Sequence, residues 1–166
     1  DLTYDITSEQ SIRSMYENAG DFNAVVSTVG KVHFEDLSTM TAVKYHIGIH
    51  DKLMGQVNLV LIGAHYIQDK GSFTLTSGIL SQDPIRAGSS ASMVNGALNS
   101  FVKAAAIELP RQIRINIVSP TVIAEAMDSY APFFRGFDPV PAAKAALGYS
   151  KSVEGLQTGQ VYEIVH

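Results

Sequence analysis

The sequence predicts an α/β fold, a doubly wound parallel sheet with helices on both faces, and the prediction rests on pattern, composition and continuity. Short β-prone runs alternate with helix-length segments along the chain, and strands joined by crossovers of that length pair in parallel. With 166 residues, 46% of them apolar and 17% charged, the chain has the composition of a globular protein and the length for one domain with a real core. No repeat, low-complexity tract or linker divides it, so a single domain over residues 1–166 is expected.

The elements follow in order. Leu2–Ile6 reads as the end of a strand, and a helix starts near Ser8 and closes at Ala19-Gly20. Phe22–Ser27 is a β-prone run that leads to Val29-Gly30. A long helical segment runs from about Met40 to Ile67, with Gly48 as its point of interruption. Its apolar residues Leu53, Val57, Val60, Leu61 and Ala64 recur at three and four. Ser72–Ser77 is the next strand, bounded by Lys70-Gly71 and Gly78. A second long helix covers Ala91 to Leu109 and is stopped by Pro110. Ile113–Val118 is a strand closed by Ser119-Pro120. A helical stretch from Ala124 to Phe134 meets the Pro-bounded break Asp138–Pro141. A helix over Ala142–Ser152 and a last strand, Gln160–Ile164, complete the order.

Charge and residue usage exclude several classes. Twelve Lys and Arg against 16 Asp and Glu leave a net charge of −4, which gives no general attraction for nucleic acid or anionic lipid. Without cysteine there is no disulfide, thiolate metal site or Cys nucleophile. That fits a reducing compartment, and a cytoplasmic location is expected. No run of about 18 apolar residues occurs, so no membrane span is expected. His46 and His50 are spaced to share a helical face, but zinc takes three or four ligands and Asp51 completes no known spacing; no metal is expected.

A series of local patterns is more specific. Asp5-Ile6-Thr7 precedes a helix, and Ser27-Thr28-Val29-Gly30 follows a strand. Ser72–Gly78 is a strand that ends in Thr76-Ser77-Gly78. Glu108-Leu109-Pro110 leads into Ile113-Arg114-Ile115-Asn116-Ile117-Val118-Ser119-Pro120, and Thr158-Gly159-Gln160-Val161 opens the last strand. Together these resemble the short-chain dehydrogenase/reductase family over essentially the whole chain, and the Ile113–Pro120 block carries most of the specificity. The resemblance implies a Rossmann-like three-layer fold that binds NAD or NADP. It also implies a small carbonyl or alcohol substrate, and a homodimer or homotetramer built through the two long helices. In this resemblance Asp5 lies near the adenine, Ser27 and Gly30 stand where the family has Asn-Asn-Ala-Gly, and Asn95, Pro120 and Thr121 also face the cofactor. None of the 13 glycines makes a G-x-G-x-x-G pattern. The family's first βαβ unit, about 30 residues or more, is therefore expected ahead of Asp1.

The family's proton comes from a Tyr, and a Lys one helical turn later lowers the Tyr pKa and holds the nicotinamide ribose. A Ser binds the substrate oxygen. Counted back from Glu108-Leu109, the Tyr position is Ala91 and the Lys position is Asn95. Ser77 keeps the Ser position, and the family's helical Asn falls on Lys52. An atypical subgroup, whose activity is not defined, shares Lys52-Leu53-Met54-Gly55-Gln56, Thr76-Ser77-Gly78 and Asn95-Gly96-Ala97.

Each candidate has two readings. Ser77 either holds substrate or satisfies local backbone. Lys52 is a solvated helix residue unless it points into the crevice, where burial would lower its pKa toward a useful acid. Asn95 suits a ribose by chemistry and equally suits helix packing. Thr121 replaces a Gly and Glu125 replaces a Thr that touches the cofactor amide. Tyr130, Phe133, Phe134 and Phe137 form either a lid over an apolar substrate or part of the core. Two functions are open: an oxidoreductase with altered acid–base groups around Ser77, Lys52 and Asn95, or an inactive nucleotide-binding or oligomeric scaffold.

Overall fold

The computed structural model describes residues 2–165, so Asp1 and His166 lie outside it, and it contains a four-stranded sheet in which every neighbouring pair is parallel. In chain order the elements are α1 (Glu9–Ala19), β1 (Ala24–Val26), α2 (Ala42–Gly48), a π-helical segment (Ile49–Met54), α3 (Gly55–Gly63), β2 (Ser72–Thr76), α4 (Ser89–Glu108), β3 (Arg114–Pro120), α5 (Met127–Tyr130), α6 (Ala142–Glu154) and β4 (Val161–Ile164). The strands lie in the sequential order β1-β2-β3-β4.

Alternation along the strands assigns the two faces. Phe73 and Leu75 of β2 and Ile115 and Ile117 of β3 meet Val60 of α3 and Val94, Leu98 and Val102 of α4 in one buried cluster. The residues between them face α6. Thr74 Oγ1 and Ser152 Oγ are 2.6 Å apart, and Asn116 Nδ2 donates to Ser152 Oγ at 3.2 Å and to Gln157 O at 2.9 Å. Arg114 donates to Ser152 O and Val153 O, the unpaired carbonyls at the end of α6. Arg114 and Asn116, the polar members of the most specific sequence block, thus tie α6 to the sheet. On the α3–α4 side, α1 adds Ile12 and Tyr16 against Leu59 and Ile62.

Two sequence expectations are corrected. Leu2–Ile6 is not a strand. Local hydrogen bonds hold it in a turn instead: Asp5 Oδ1 accepts from Thr7 N at 2.9 Å and Thr7 Oγ1 at 2.7 Å, and the Ser8 hydroxyl caps α1 by accepting from Ser11 N. The stretch 124–134 is helical only in a short 3-10 turn at Ala124–Ala126 and in α5, because Pro132 has no N–H to continue the helix. The long helical segment does change at Gly48, but into the π segment rather than a break. At the far end of that segment, a Cβ on Gly55 would lie 2.6 Å from Ile6 Cδ1, so the N-terminal turn can approach only a glycine. No helix among the described residues is long and apolar enough to cross a membrane.

Candidate active site

The candidate site lies at the carboxyl ends of β2 and β3, where open parallel sheets place their ligands. Ser77 continues β2 by one residue, its N–H donating to Val118 O at 3.0 Å. Its Oγ is buried and has no hydrogen-bond partner among the described residues. The loop after β3 brings Thr121, Val122 and Ile123 to the same place, and the loop after β1 brings Gly30, Val32 and Phe34. Helix α4 contributes Ala91 and Asn95, one turn apart and both buried. These residues, with Lys52 from the π segment, line a cavity of about 230 Å³.

Lys52 is the centre of this arrangement. Its Nζ donates to Asn95 Oδ1 at 2.8 Å and to Ser77 O at 3.0 Å. The residue is half-buried, and burial pushes its amine down to about 8. The π segment positions it, because a π turn re-aims the side chains it carries. Gly30 makes room for it: a Cβ there would lie 2.5 Å from Lys52 Cγ and 2.9 Å from Lys52 Cα, and Gly30 has a φ of 136°. A lysine from the preceding helical segment therefore binds Asn95 of α4.

The candidates divide between places. Gly30, Lys52, Ser77, Asn95 and Thr121 share the cavity with Tyr130 and Phe134 of the aromatic stretch. Phe137 packs on Phe134 with ring centroids 5.3 Å apart, and Phe133 lies 6.1 Å from Phe34. Pro120 lines a separate groove on the α6 side with Val26, Thr76 and Tyr149. Ser27 is buried outside the cavity, its N–H on Thr74 O and its Oγ without a partner. Asp5 is exposed on the N-terminal turn, its carboxyl held below the ordinary range by the Thr7 hydrogen bonds. Glu125 accepts from Ala142 N at the start of α6, at 3.0 and 3.1 Å. His46 and His50 join no group of metal-binding side chains among the described residues.

Two participants had no role assigned from the sequence, Gln56 being read only as part of a shared motif and Phe34 not at all. Gln56 is fully buried, and its amide takes both backbone groups of Thr76: Nε2 donates to Thr76 O at 2.9 Å and Oε1 accepts from Thr76 N at 2.8 Å. Strand β1 pairs with β2 only as far as Val26 opposite Thr74, so Gln56 completes the hydrogen bonding of the strand end that carries Ser77. Its signal was its position four residues after Lys52. Phe34 meets Tyr130 edge-on at 6.1 Å and closes the cavity from the opposite loop; a lone aromatic in a loop carried no signal.

The donor set fits the nicotinamide end of a dinucleotide. Asn95, the Lys52 N–H left over from its two bonds and the orphaned Ser77 hydroxyl are polar groups in a cavity whose remaining walls are largely apolar.

Comparison with known proteins agrees with the geometry. The family described as enoyl-(acyl carrier protein) reductase matches residues 1–158. The chain is similar to the protein lin1944 from Listeria innocua at 53% identity and a TM-score of 0.97, over 99% of this chain and 82% of that one. It is similar to a small-chain dehydrogenase at 26% identity and a TM-score of 0.83, over 97% of this chain and 77% of that one. A small-chain dehydrogenase in complex with NADPH shares the fold at 24% identity and a TM-score of 0.84, over 97% and 80%. No curated protein matches the chain.

Proposed function

The chain belongs to the short-chain dehydrogenase/reductase family, and from that premise we propose that it is an NAD- or NADP-dependent oxidoreductase, cytoplasmic, in which Lys52 handles the proton that a tyrosine handles elsewhere in the family. The observation that carries this reading is the Lys52 ammonium held between Asn95 Oδ1 and Ser77 O at the edge of the cavity. A lysine brought down to about 8 is still charged at neutral pH, yet gives up its proton far more readily than a free amine near 10.4. Asn95 and the Ser77 carbonyl aim the ammonium, and the Ser77 hydroxyl holds the substrate oxygen. In the alcohol-oxidising direction the neutral amine takes the proton back. A nicotinamide cofactor, when bound, would supply or accept the hydride. Asn95, Gly30 and Thr121, which share the cavity, would hold its ribose and amide end, whereas Ser27, Pro120 and Asp5 lie outside this cavity and would meet only the remainder of the dinucleotide. Homodimers or homotetramers form through α3 and α4, whose shared groove is lined by Val60, Leu61, Ala64, Phe101 and Leu109.

Ala91 favours a second reading. A buried methyl occupies the position of the family's phenol, and a chain without that acid suits a nucleotide-binding or oligomeric scaffold that turns nothing over. Titration with NADH and with NADPH, following nicotinamide fluorescence and melting temperature together, separates the two. Saturable binding of one cofactor with a matching rise in melting temperature is expected. Failure of both to bind at millimolar concentration sinks the oxidoreductase reading and leaves the scaffold.

A further inference from the structure

Among the described residues, Lys52 is the one cationic side chain lining the cavity, and no carboxylate lines it. Both partners of its ammonium are neutral oxygens, and among the described residues it forms no ion pair. The acidic residue beside it in sequence, Asp51, is engaged elsewhere, accepting from Lys31 N at 2.6 Å. An ammonium has three donors, so one N–H remains without a protein acceptor. In the same wall Ser77 is 4% exposed, and its buried hydroxyl has no hydrogen-bond partner among the described residues. The facing wall is apolar and partly aromatic, with Phe34, Leu80, Val122, Tyr130 and Phe134.

A cation partly withdrawn from water without a counter-charge is costly, and the cost falls when a bound anion supplies the charge. An orphaned hydroxyl beside it adds a second donor to the same anion. The apolar wall recovers free energy only from a ligand that has an apolar body. The volume exceeds the roughly 150 Å³ of a cavity that takes benzene, so a ring and a small head group fit.

We infer that this cavity takes a small organic carboxylate with an apolar body, its carboxylate on Lys52 and the Ser77 hydroxyl and its body against Phe34, Tyr130 and Phe134. Taken with the oxidoreductase reading, on which this last step rests, the substrate class is a 2-oxo acid or the corresponding 2-hydroxy acid. In such a molecule the carbonyl oxygen and a carboxylate oxygen lie side by side, so the remaining Lys52 N–H and the Ser77 hydroxyl, set in one wall, serve the two between them.

The test is calorimetric binding of phenylpyruvate and of its neutral methyl ester to the full chain, wild type and Lys52→Met. Phenylpyruvate is expected to bind the wild type at least about tenfold more tightly than the ester, the ratio a lost charge-assisted hydrogen bond produces. Lys52→Met is expected to erase that preference. Equal binding of acid and ester, no binding of either at millimolar concentration, or an unchanged preference in Lys52→Met overturns the inference. If Lys52→Met does not fold, the acid-to-ester ratio on the wild type decides alone. Because no cofactor is needed, the outcome is separate from turnover: reduction of the ester with no preference for the acid would keep the oxidoreductase reading and remove this one.

Discussion

Lys52 in the native state and Lys52 in the unfolded chain hold their protons over different pH ranges, and the difference is measurable as stability. Burial lowers the native value to about 8, whereas the unfolded value is near 10.4. Between the two the unfolded state binds the proton and the native state does not, so stability gains a contribution as pH rises through that window. Below about pH 8 both states are charged and the contribution is absent. For a half-buried lysine it amounts to on the order of 1–2 kcal/mol. Tyr130 is the other titratable group lining the cavity, and Asp51 is the acidic neighbour on the same segment; both are present in Lys52→Met. Denaturant melts of the two proteins from pH 7 to 10.5 are therefore expected to shift in favour of the wild type as pH rises. A stability difference that does not move with pH would mean that Lys52 is not desolvated.

At the scale of elements, the cavity wall that carries Ser77 depends on a join between helix and strand. The end of β2 outlasts its pairing with β1, and Gln56 on the first turn of α3 supplies the missing partners through both ends of one amide. Gln56→Leu keeps the volume but leaves Thr76 N–H and C=O unsatisfied in a buried place. It is expected to cost about 2–6 kcal/mol, each orphaned group costing about 1–3, read as a lower melting temperature. Because Thr76 precedes Ser77, the same variant is expected to weaken phenylpyruvate binding while the protein remains folded. Unchanged binding and stability would show that the amide is dispensable. The opposite face is secured by other means, with Arg114 and Asn116 fastening α6.

For the whole molecule the open matter is what covers α3 and α4. Leu61 is 56% exposed and Ile107 87% exposed, beside the groove that contains Phe101 and Leu109. A second copy of the chain is the occupant proposed above. Light scattering is expected to give a dimer or tetramer, and Leu61→Arg, which places a charge at the seam, is expected to shift it toward monomer by at least about tenfold in dissociation constant. A monomeric wild type would remove the assembly from the proposal.

The order of strands and helices was legible because it follows from short-range causes: β-prone runs, helical periodicity and Gly or Pro punctuation near Gly78 and Pro110. Ser77 and Asn95 were legible as candidates for the same reason, each occupying a fixed position in a local pattern. Leu2–Ile6 was misread because its apolar residues look like a strand while Asp5, Thr7 and Ser8 favour a turn, and no sheet neighbour outweighs them. What the tertiary structure alone decided is the meeting of distant residues. Lys52 reaches Asn95 across 43 positions of sequence, through a π segment and past a glycine at position 30 that leaves space for its stem. Phe34 and Gln56 enter the site, and Pro120 is sent to the other face, by the same packing. Secondary structure is set by neighbours in the chain, whereas a charged group's environment is set by whatever packing brings beside it. The sequence by itself thus determined the scaffold and nominated Lys52, and the fold determined that its ammonium is half-withdrawn from water beside a cavity whose described lining provides no counter-charge.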